Sequence, residues 1–314
     1  MKNFIIQLLF YRRKQWVKNL LVFAAPIFAF EISSQIILHL FFTFISFCIL
    51  SNAVYIFNDI KDIENDQKHP TKKYRPIACG KIKIKNAYFL SFLFLLISFY
   101  FGYLANPYIC LILAFYSLIQ LFYSLGLKNE PILDFLCISS GFTLRALAGV
   151  LAVGPKCSPW FLLSVGLLAN FLAIEKRKSE LKYFLAYGVK TRKVLSRYSM
   201  TLLSKIENLV TTSCFISYSL WSAGPLLNGS KTSWMLLTVP FVLIGIFRYQ
   251  LISDIEDYSS KDQEIFSKIS CQAPEEILFN DKGIKLIVGF WLISFIGINI
   301  LQSMGLLPEI FVSI

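Results

Sequence analysis

Long apolar runs alternate along this chain with short segments that gather its charges, and several of the runs reach the ~20 residues needed to cross a hydrocarbon core. The pattern predicts helices at roughly 18–30, 36–57, 86–105, 107–125, 131–153, 158–174, 207–227, 232–251 and 285–305. The first is the weakest, being short and interrupted by Pro26. The polar segments between the runs are 1–18, 58–85, 126–130, 175–206 and 252–284 on one side. The expected fold is an all-α, polytopic membrane protein: nine crossings in a single domain over residues 1–314, with the C-terminus outside.

Composition supports a membrane solvent. Of 314 residues, 56% are hydrophobic and only 16% charged, where soluble domains carry about a quarter charged residues. The N-terminal stretch MKNFIIQLLFYRRKQW superficially resembles a signal peptide. Its apolar part is too short, basic residues follow it, and no small-residue cleavage site appears, so it reads as mature protein.

Charge sets the orientation. The chain carries 31 Lys and Arg against 19 Asp and Glu, a net +12. Apart from Arg145, Lys156 and Lys231, every basic residue lies in the polar segments above or at the adjoining helix ends. The positive-inside rule makes that side cytoplasmic. The excess charge is thereby accounted for by topology and anionic headgroups, a membrane-lipid partner rather than a nucleic acid. Acids set topology weakly, yet only Glu31 and Glu309 fall near the outer side. Their concentration on the cytoplasmic side asks for another cause.

That cause is the run Asn58-Asp59-Ile60-Lys61-Asp62-Ile63-Glu64-Asn65-Asp66 at the end of the second helix. At ~100° per residue, Asp59, Asp62 and Asp66 fall at about 0°, 300° and 340° and Asn58 at about 260°, one face of a continued helix. Glu64 turns away. Three carboxylates so spaced repel one another unless neutralised. Mg2+ suits this environment, with hard oxygen ligands, one or two carboxylates per ion and the remaining positions filled by water and phosphate. Asn58, Asp59, Asp62 and Asp66 are the candidate metal ligands. Behind them come His69-Pro70-Thr71-Lys72-Lys73-Tyr74-Arg75-Pro76, where lysine offers point charge and arginine a fork for phosphate. The prolines and Gly80 mark a turning loop able to fold these cations back over the acids.

The pattern N-D-x-x-D-x-x-x-D followed by K-x-R-P resembles the UbiA superfamily of intramembrane prenyl-group enzymes, which are nine-helix bundles. Arg12 to Asn19, Asn58 to Gly80, Arg145 to Gly149, Ser158 to Phe161, Lys176-Arg177 with Glu180-Leu181, Arg248-Tyr249 and Pro274 to Ile277 are together similar to its polyprenyl-phosphate phosphoribosyltransferase branch. Two positions depart from it: Arg13 where proline is common, and Glu175 where a small residue is usual. The resemblance implies an enzyme of the bacterial inner membrane with its site facing the cytoplasm. It would transfer 5-phosphoribose from phosphoribosyl pyrophosphate to a polyprenyl phosphate, with Asp59, Asp62, Asp66 and Lys73 as catalytic residues. It also implies substrate-binding roles for Lys18, Asn58, Lys72, Arg75, Lys176, Arg177, Tyr249, Asp254 and Glu275.

The residues themselves are compatible with that chemistry. A phosphate-monoester acceptor is already anionic, so no general base is needed, and His39 and His69 are the only histidines. The seven cysteines include no C-x-x-C pair, which argues against zinc and a disulfide framework. Lys18, beside Trp16, is equally an interface anchor. Lys176 and Glu180 at i, i+4, and Arg177 and Glu180 at i, i+3, are spaced as helix-surface pairs. Asp254 and Asp257 form a degenerate second acidic motif, and Glu275 is a candidate acceptor for ribose hydroxyls. Arg145, the cation inside an apolar run, is costly there and is expected to bind carbonyls and stabilise the bundle. Two other functions remain in view: prenyl transfer from a prenyl diphosphate to an aromatic acceptor, and, more remotely, ion or solute transport. A homo-oligomer is left open.

Overall fold

A computed structural model describes residues 13–31, 33–68, 72–154, 157–188, 192–254 and 280–308. Among these residues the chain is helical, with no strand. A 3₁₀ stretch, Arg13–Phe23, leads into α1 (Ala24–Ala29). There follow α2 (Ser34–Lys61), α3 (Ile63–Lys68), α4 (Ile84–Ala105), α5 (Pro107–Leu125), α6 (Leu133–Val153), α7 (Pro159–Tyr187), α8 (Met200–Ser222), α9 (Val239–Asp254) and α10 (Lys282–Ser303). Seven helices are long and apolar enough to cross a membrane: α2, α4, α5, α6, α7, α9 with the 3₁₀ turn before it, and α10. The segment Trp16–Ala29 is apolar but shorter, and α8, which carries Lys205 and Glu207, is not among the seven.

The helix starts are written in the sequence. Asn106 caps α5 by accepting from Tyr108 N at 2.9 Å, with Pro107 in the first turn. Ser158 and Pro159 repeat the device on α7, Ser199 caps α8 and Asp281 caps α10. Each side-chain oxygen satisfies a first-turn N–H that has no partner within its helix.

The chain divides into two compact units. Unit 1 comprises Met1–Ile27, Glu31–Lys128 and Ser140–Lys156, and unit 2 comprises Phe28–Phe30, Asn129–Ser139 and Cys157–Ile314. In unit 1, Phe47 and Leu50 of α2, Ile109, Leu113 and Tyr116 of α5 and Ala148 of α6 share one core with Val22. Gly149 explains part of the Arg145–Gly149 motif, because a Cβ there would lie 2.1 Å from the Val22 carbonyl oxygen. Arg145 is buried in the same unit. Its Nε donates to Asn19 Oδ1 at 2.7 Å, and Nη1 to the Gly141 carbonyl at 2.6 Å. Nη2 donates to the Tyr116 hydroxyl at 3.0 Å, and the guanidinium stacks on that ring. Its partners among the described residues are neutral, as expected of a bundle-stabilising arginine. In unit 2, Ile174 and Leu181 of α7 pack with Val194, Leu195 and Leu203, and Phe171 packs with Tyr249 and Ile284.

Two expectations require correction. The sixth predicted helix does not stop at 174; α7 runs to Tyr187, because the charges that follow the apolar run pair with one another and with buried partners. The polar segment 175–206, expected from its charge to be cytoplasmic, is therefore largely helical, and α8 begins at Met200. The acids at 59–66 do not sit on one continuous helix either. Helix α2 ends at Lys61, Asp62 is its C-cap with φ −99° and ψ 7°, and α3 starts afresh at Ile63.

Candidate active site

The break at Asp62 sorts the acids into two environments within unit 1. Asp59 and Asp66 are buried, at 1% and 3% exposure. They converge on a single atom, Arg75 Nη1, which donates to Asp59 Oδ1 at 3.0 Å and to Asp66 Oδ2 at 2.6 Å. Asp62 is half-buried and faces another cation, with Lys128 Nζ 2.5 Å from Oδ1. Its other oxygen accepts from Asn58 Nδ2 at 3.1 Å, and Asn58 Oδ1 accepts from Ser124 at 3.2 Å. Glu64 is exposed.

The loop does turn back. Gln67 donates to the Ala78 carbonyl at 3.2 Å, and Ile82 N to the Pro76 carbonyl at 3.0 Å. Gly80 has φ +75°, a left-handed conformation that costs glycine little. Of the loop cations, Arg75 is the one whose bonds to both Asp59 and Asp66 close this contact. Lys72 and Lys73 are exposed on the 3₁₀ turn Lys72–Tyr74, with Lys73 Nζ 5.2 Å from the Tyr74 ring centroid. Lys128 was not anticipated. Its signal in the sequence is slight: a basic residue in the short polar segment 126–130, 66 residues beyond its partner.

Among the described residues no group of three or more His, Cys, Asp or Glu side chains is gathered as a ready metal cage. The donors nevertheless fit a magnesium ion. Two buried carboxylate oxygens meet at one point where positive charge already sits, the Arg75 nitrogen, and Asp62 and Asn58 carry further hard oxygens on the same stretch of chain. Such a set suits an ion that keeps waters and takes phosphate oxygens as further ligands.

Unit 2 holds the second group. Arg177 is fully buried, its Nε donating to Asp134 Oδ2 and its Nη1 to Glu180 Oε2 at 2.7 Å. Arg192 reaches the same Glu180 oxygen at 3.1 Å. The Tyr198 hydroxyl donates to Asp134 Oδ1 at 2.5 Å and accepts from Ile132 N at 2.6 Å. Burial and the bond to Asp134 push the Tyr198 phenol above its ordinary range. Ile132 has φ +72°, a strained conformation for a β-branched residue, held by that bond. Arg177 Nη2 has no partner among the described residues. Lys176 is half-buried and close enough to Glu180 to interact with it.

The remaining candidates are scattered. Lys18 of unit 1 is half-buried, its Nζ 6.0 Å from the Phe142 ring centroid. Tyr249 is buried against Phe171, ring centroids 5.5 Å apart. Asp254 ends α9. Glu275, with Glu256, Asp257 and Glu276, lies outside the described residues.

The UbiA prenyltransferase family model matches residues 20–270. The chain belongs to this family. A protein from Corynebacterium glutamicum named decaprenyl-phosphate phosphoribosyltransferase is 33% identical over 287 residues, 89% of this chain and 82% of that protein. One of the same name from Mycolicibacterium smegmatis is 33% identical over 294 residues, 90% of this chain and 88% of its own length. Solved UbiA structures share the fold. A UbiA homolog from Archaeoglobus fulgidus bound to DMAPP and Mg2+ superposes with a TM-score of 0.61 at 20% identity, covering 88% of this chain and 99% of that one. A digeranylgeranylglyceryl phosphate synthase superposes with a TM-score of 0.63 at 19% identity, covering 94% and 98%.

Proposed function

We propose that this UbiA-family chain transfers 5-phosphoribose from phosphoribosyl pyrophosphate to a polyprenyl phosphate, releasing pyrophosphate, with residues 1–314 serving as one catalytic domain. The observation that carries the reading is similarity over 89% and 90% of the chain to two enzymes named for that reaction, joined to an acidic cluster with its own counter-cations.

The chemistry asked of the residues is charge management and positioning. Asp59, Asp62 and Asp66, with Asn58, would hold Mg2+. When bound, the ion supplies positive charge to the departing pyrophosphate. Direct approach of that pyrophosphate to bare carboxylates is repulsive, so the excess negative charge is assigned to Arg75 and Lys128, with Lys72 and Lys73 on the adjoining turn. Arg75 offers a planar fork to phosphate oxygens. In unit 2, Lys176 and Arg177 supply further phosphate-binding charge. Tyr249, Asp254 and Glu275 are assigned to the rest of the donor, and Lys18 to the lipid phosphate at the interface. The acceptor phosphate is anionic near neutral pH and needs no base. Rate enhancement then rests on orientation and electrostatic stabilisation.

The active face is assigned to the cytoplasmic side of the bacterial inner membrane, with nine crossings and the C-terminus outside. Cysteines placed at Leu306 and at Lys81, both exposed, should label from outside and inside respectively; labelling from one side sinks this topology. The activity is tested by incubating purified protein with labelled phosphoribosyl pyrophosphate and a polyprenyl phosphate. Magnesium-dependent appearance of label in the lipid supports the reading. Conversion of a prenyl diphosphate and an aromatic acid instead assigns the chain to aromatic prenyl transfer.

A further inference from the structure

Beyond the residues assigned above, unit 2 contains a second charged group, spread over α7, α8 and α9. Lys178 Nζ of α7 lies 3.2 Å from Glu175 Oε1 on the same helix and 2.5 Å from Glu207 Oε2 on α8. Gln250 of α9 donates to the other Glu207 oxygen at 2.6 Å. Glu175, Lys178 and Glu207 are buried, at 0%, 4% and 3% exposure. Lys182, one turn further along α7, donates to the Ser253 carbonyl at 3.1 Å.

The charges in this group do not balance. Among the described residues the two carboxylates share the Lys178 ammonium, while the Lys182 ammonium bonds the Ser253 carbonyl, and a buried ion left without a counter-charge is strongly destabilising. The hydrogen bonding points the same way. Among the described residues Glu175 Oε2 is sealed from solvent and has no partner at full hydrogen-bonding geometry. The Glu175 carboxyl meets that of Glu207, with the buried Ser253 hydroxyl beside it. Two acceptors brought together repel when both are ionised, whereas one proton between them makes a strong, charge-assisted hydrogen bond.

We propose that Glu175 and Glu207 form a proton-binding site, sharing one proton at neutral pH while Lys178 balances the remaining negative charge. The ligand is a proton, and the group it completes is neutral. It ties α7 to α8 and α9 at the turn of α7 that also carries Lys176 and Arg177. Removing the proton at alkaline pH leaves a second negative charge that Lys178 cannot match, and this contact between the three helices weakens. The inference stands on the geometry of this group and does not depend on which reaction the enzyme performs.

Infrared spectroscopy of the purified protein tests it directly. At neutral pH the wild type should show a protonated-carboxyl stretch that is lost in both Glu175→Gln and Glu207→Gln, since each variant leaves one carboxylate paired with Lys178. Glu175→Gln has the shape of the protonated acid, so its melting temperature should match the wild type at neutral pH and exceed it at alkaline pH. Absence of the band in the wild type, or its survival in both variants, overturns the proposal. Exchange of sodium for choline supplies a further check. A fall in wild-type melting temperature that Glu175→Gln does not show would mean that a monovalent cation, not a proton, fills the place.

Discussion

Arg75 reaches back nine residues to set its Nη1 2.6 Å from Asp66 Oδ2. Because the same nitrogen also serves Asp59, one guanidinium nitrogen is the counter-charge for two carboxylates that water scarcely touches. Arg75→Gln should therefore lower the stability of the metal-free protein by about 1–3 kcal/mol, the scale of a lost hydrogen bond to a charged, buried group. Magnesium should recover more stability in the variant than it adds to the wild type, since the ion then enters without displacing an arginine. Thermal melts of both proteins with and without magnesium check this. Equal magnesium shifts would separate Arg75 from the metal site.

Asp62 and Glu64 are two residues apart with opposite expected weights. Asp62 accepts from Asn58 and Lys128, whereas Glu64 is exposed. Asp62→Asn removes a metal-binding charge while keeping shape, so donor binding and turnover should both fall by at least about 100-fold, roughly 2.7 kcal/mol. Glu64→Gln should change neither by more than about twofold. Lys73→Ala should weaken donor binding and leave the magnesium dependence intact. Steady-state kinetics on the three variants decide the matter, and full activity in Asp62→Asn would remove this residue from the site.

The fork between Arg248 and Asp281, with Nε and Nη2 each 3.0 Å from one carboxylate oxygen, joins α9 to the cap of α10. The Arg248 hydrogen bonds hold the Asp281 carboxyl below its ordinary range, and the Ile284 amide adds to the effect. A depressed folded-state value means the stabilisation is complete above the unfolded carboxylate range, about pH 3.9, and is lost as pH falls through the folded value. Acid melts should therefore show the wild type losing stability below about pH 4, where Asp281→Asn is already destabilised and responds less. Parallel acid curves for the two proteins would show that the fork contributes nothing.

Much of this architecture was legible because apolar runs of membrane length have few alternative folds. Each predicted segment falls on helix, and Ser158-Pro159 and Asn106-Pro107 mark their starts. The errors lie where charge, rather than apolar pattern, decides. At Glu175 the apolar run ends but the helix does not, because Glu175 with Lys178 and Arg177 with Glu180 pair at i, i+3. At Asp62 the reverse holds: a local bond to Asn58 and a distant one to Lys128 accompany a break that helical phase alone does not reveal. The return of Arg75 was foreseeable from Pro76 and Gly80. The approach of Lys128 was not, since it depends on how α5 packs on α2, and no local rule carries that information.

Asp134 and Arg177 come from helices α6 and α7, and both are sealed from solvent. Replacing Asp134 with Asn keeps the side chain's shape but leaves the guanidinium with Glu180 as its remaining carboxylate partner. It also turns one hydrogen-bond acceptor towards either Arg177 or Tyr198 into a donor. Breaking a buried ion pair from one side costs about 3–5 kcal/mol, because an uncompensated charge stays behind. Asp134→Asn should lose stability on that scale. Removing both partners removes the stranded charge, so the double variant Asp134→Asn with Arg177→Leu should be more stable than Asp134→Asn alone. Tyr198→Phe, which keeps the ring but unties both Asp134 and the strained Ile132, should fall between the wild type and Asp134→Asn. Thermal denaturation in detergent gives all three comparisons. A double variant less stable than Asp134→Asn would mean that Arg177 is held chiefly by packing and by Glu180, and that Asp134 is not its essential counter-ion.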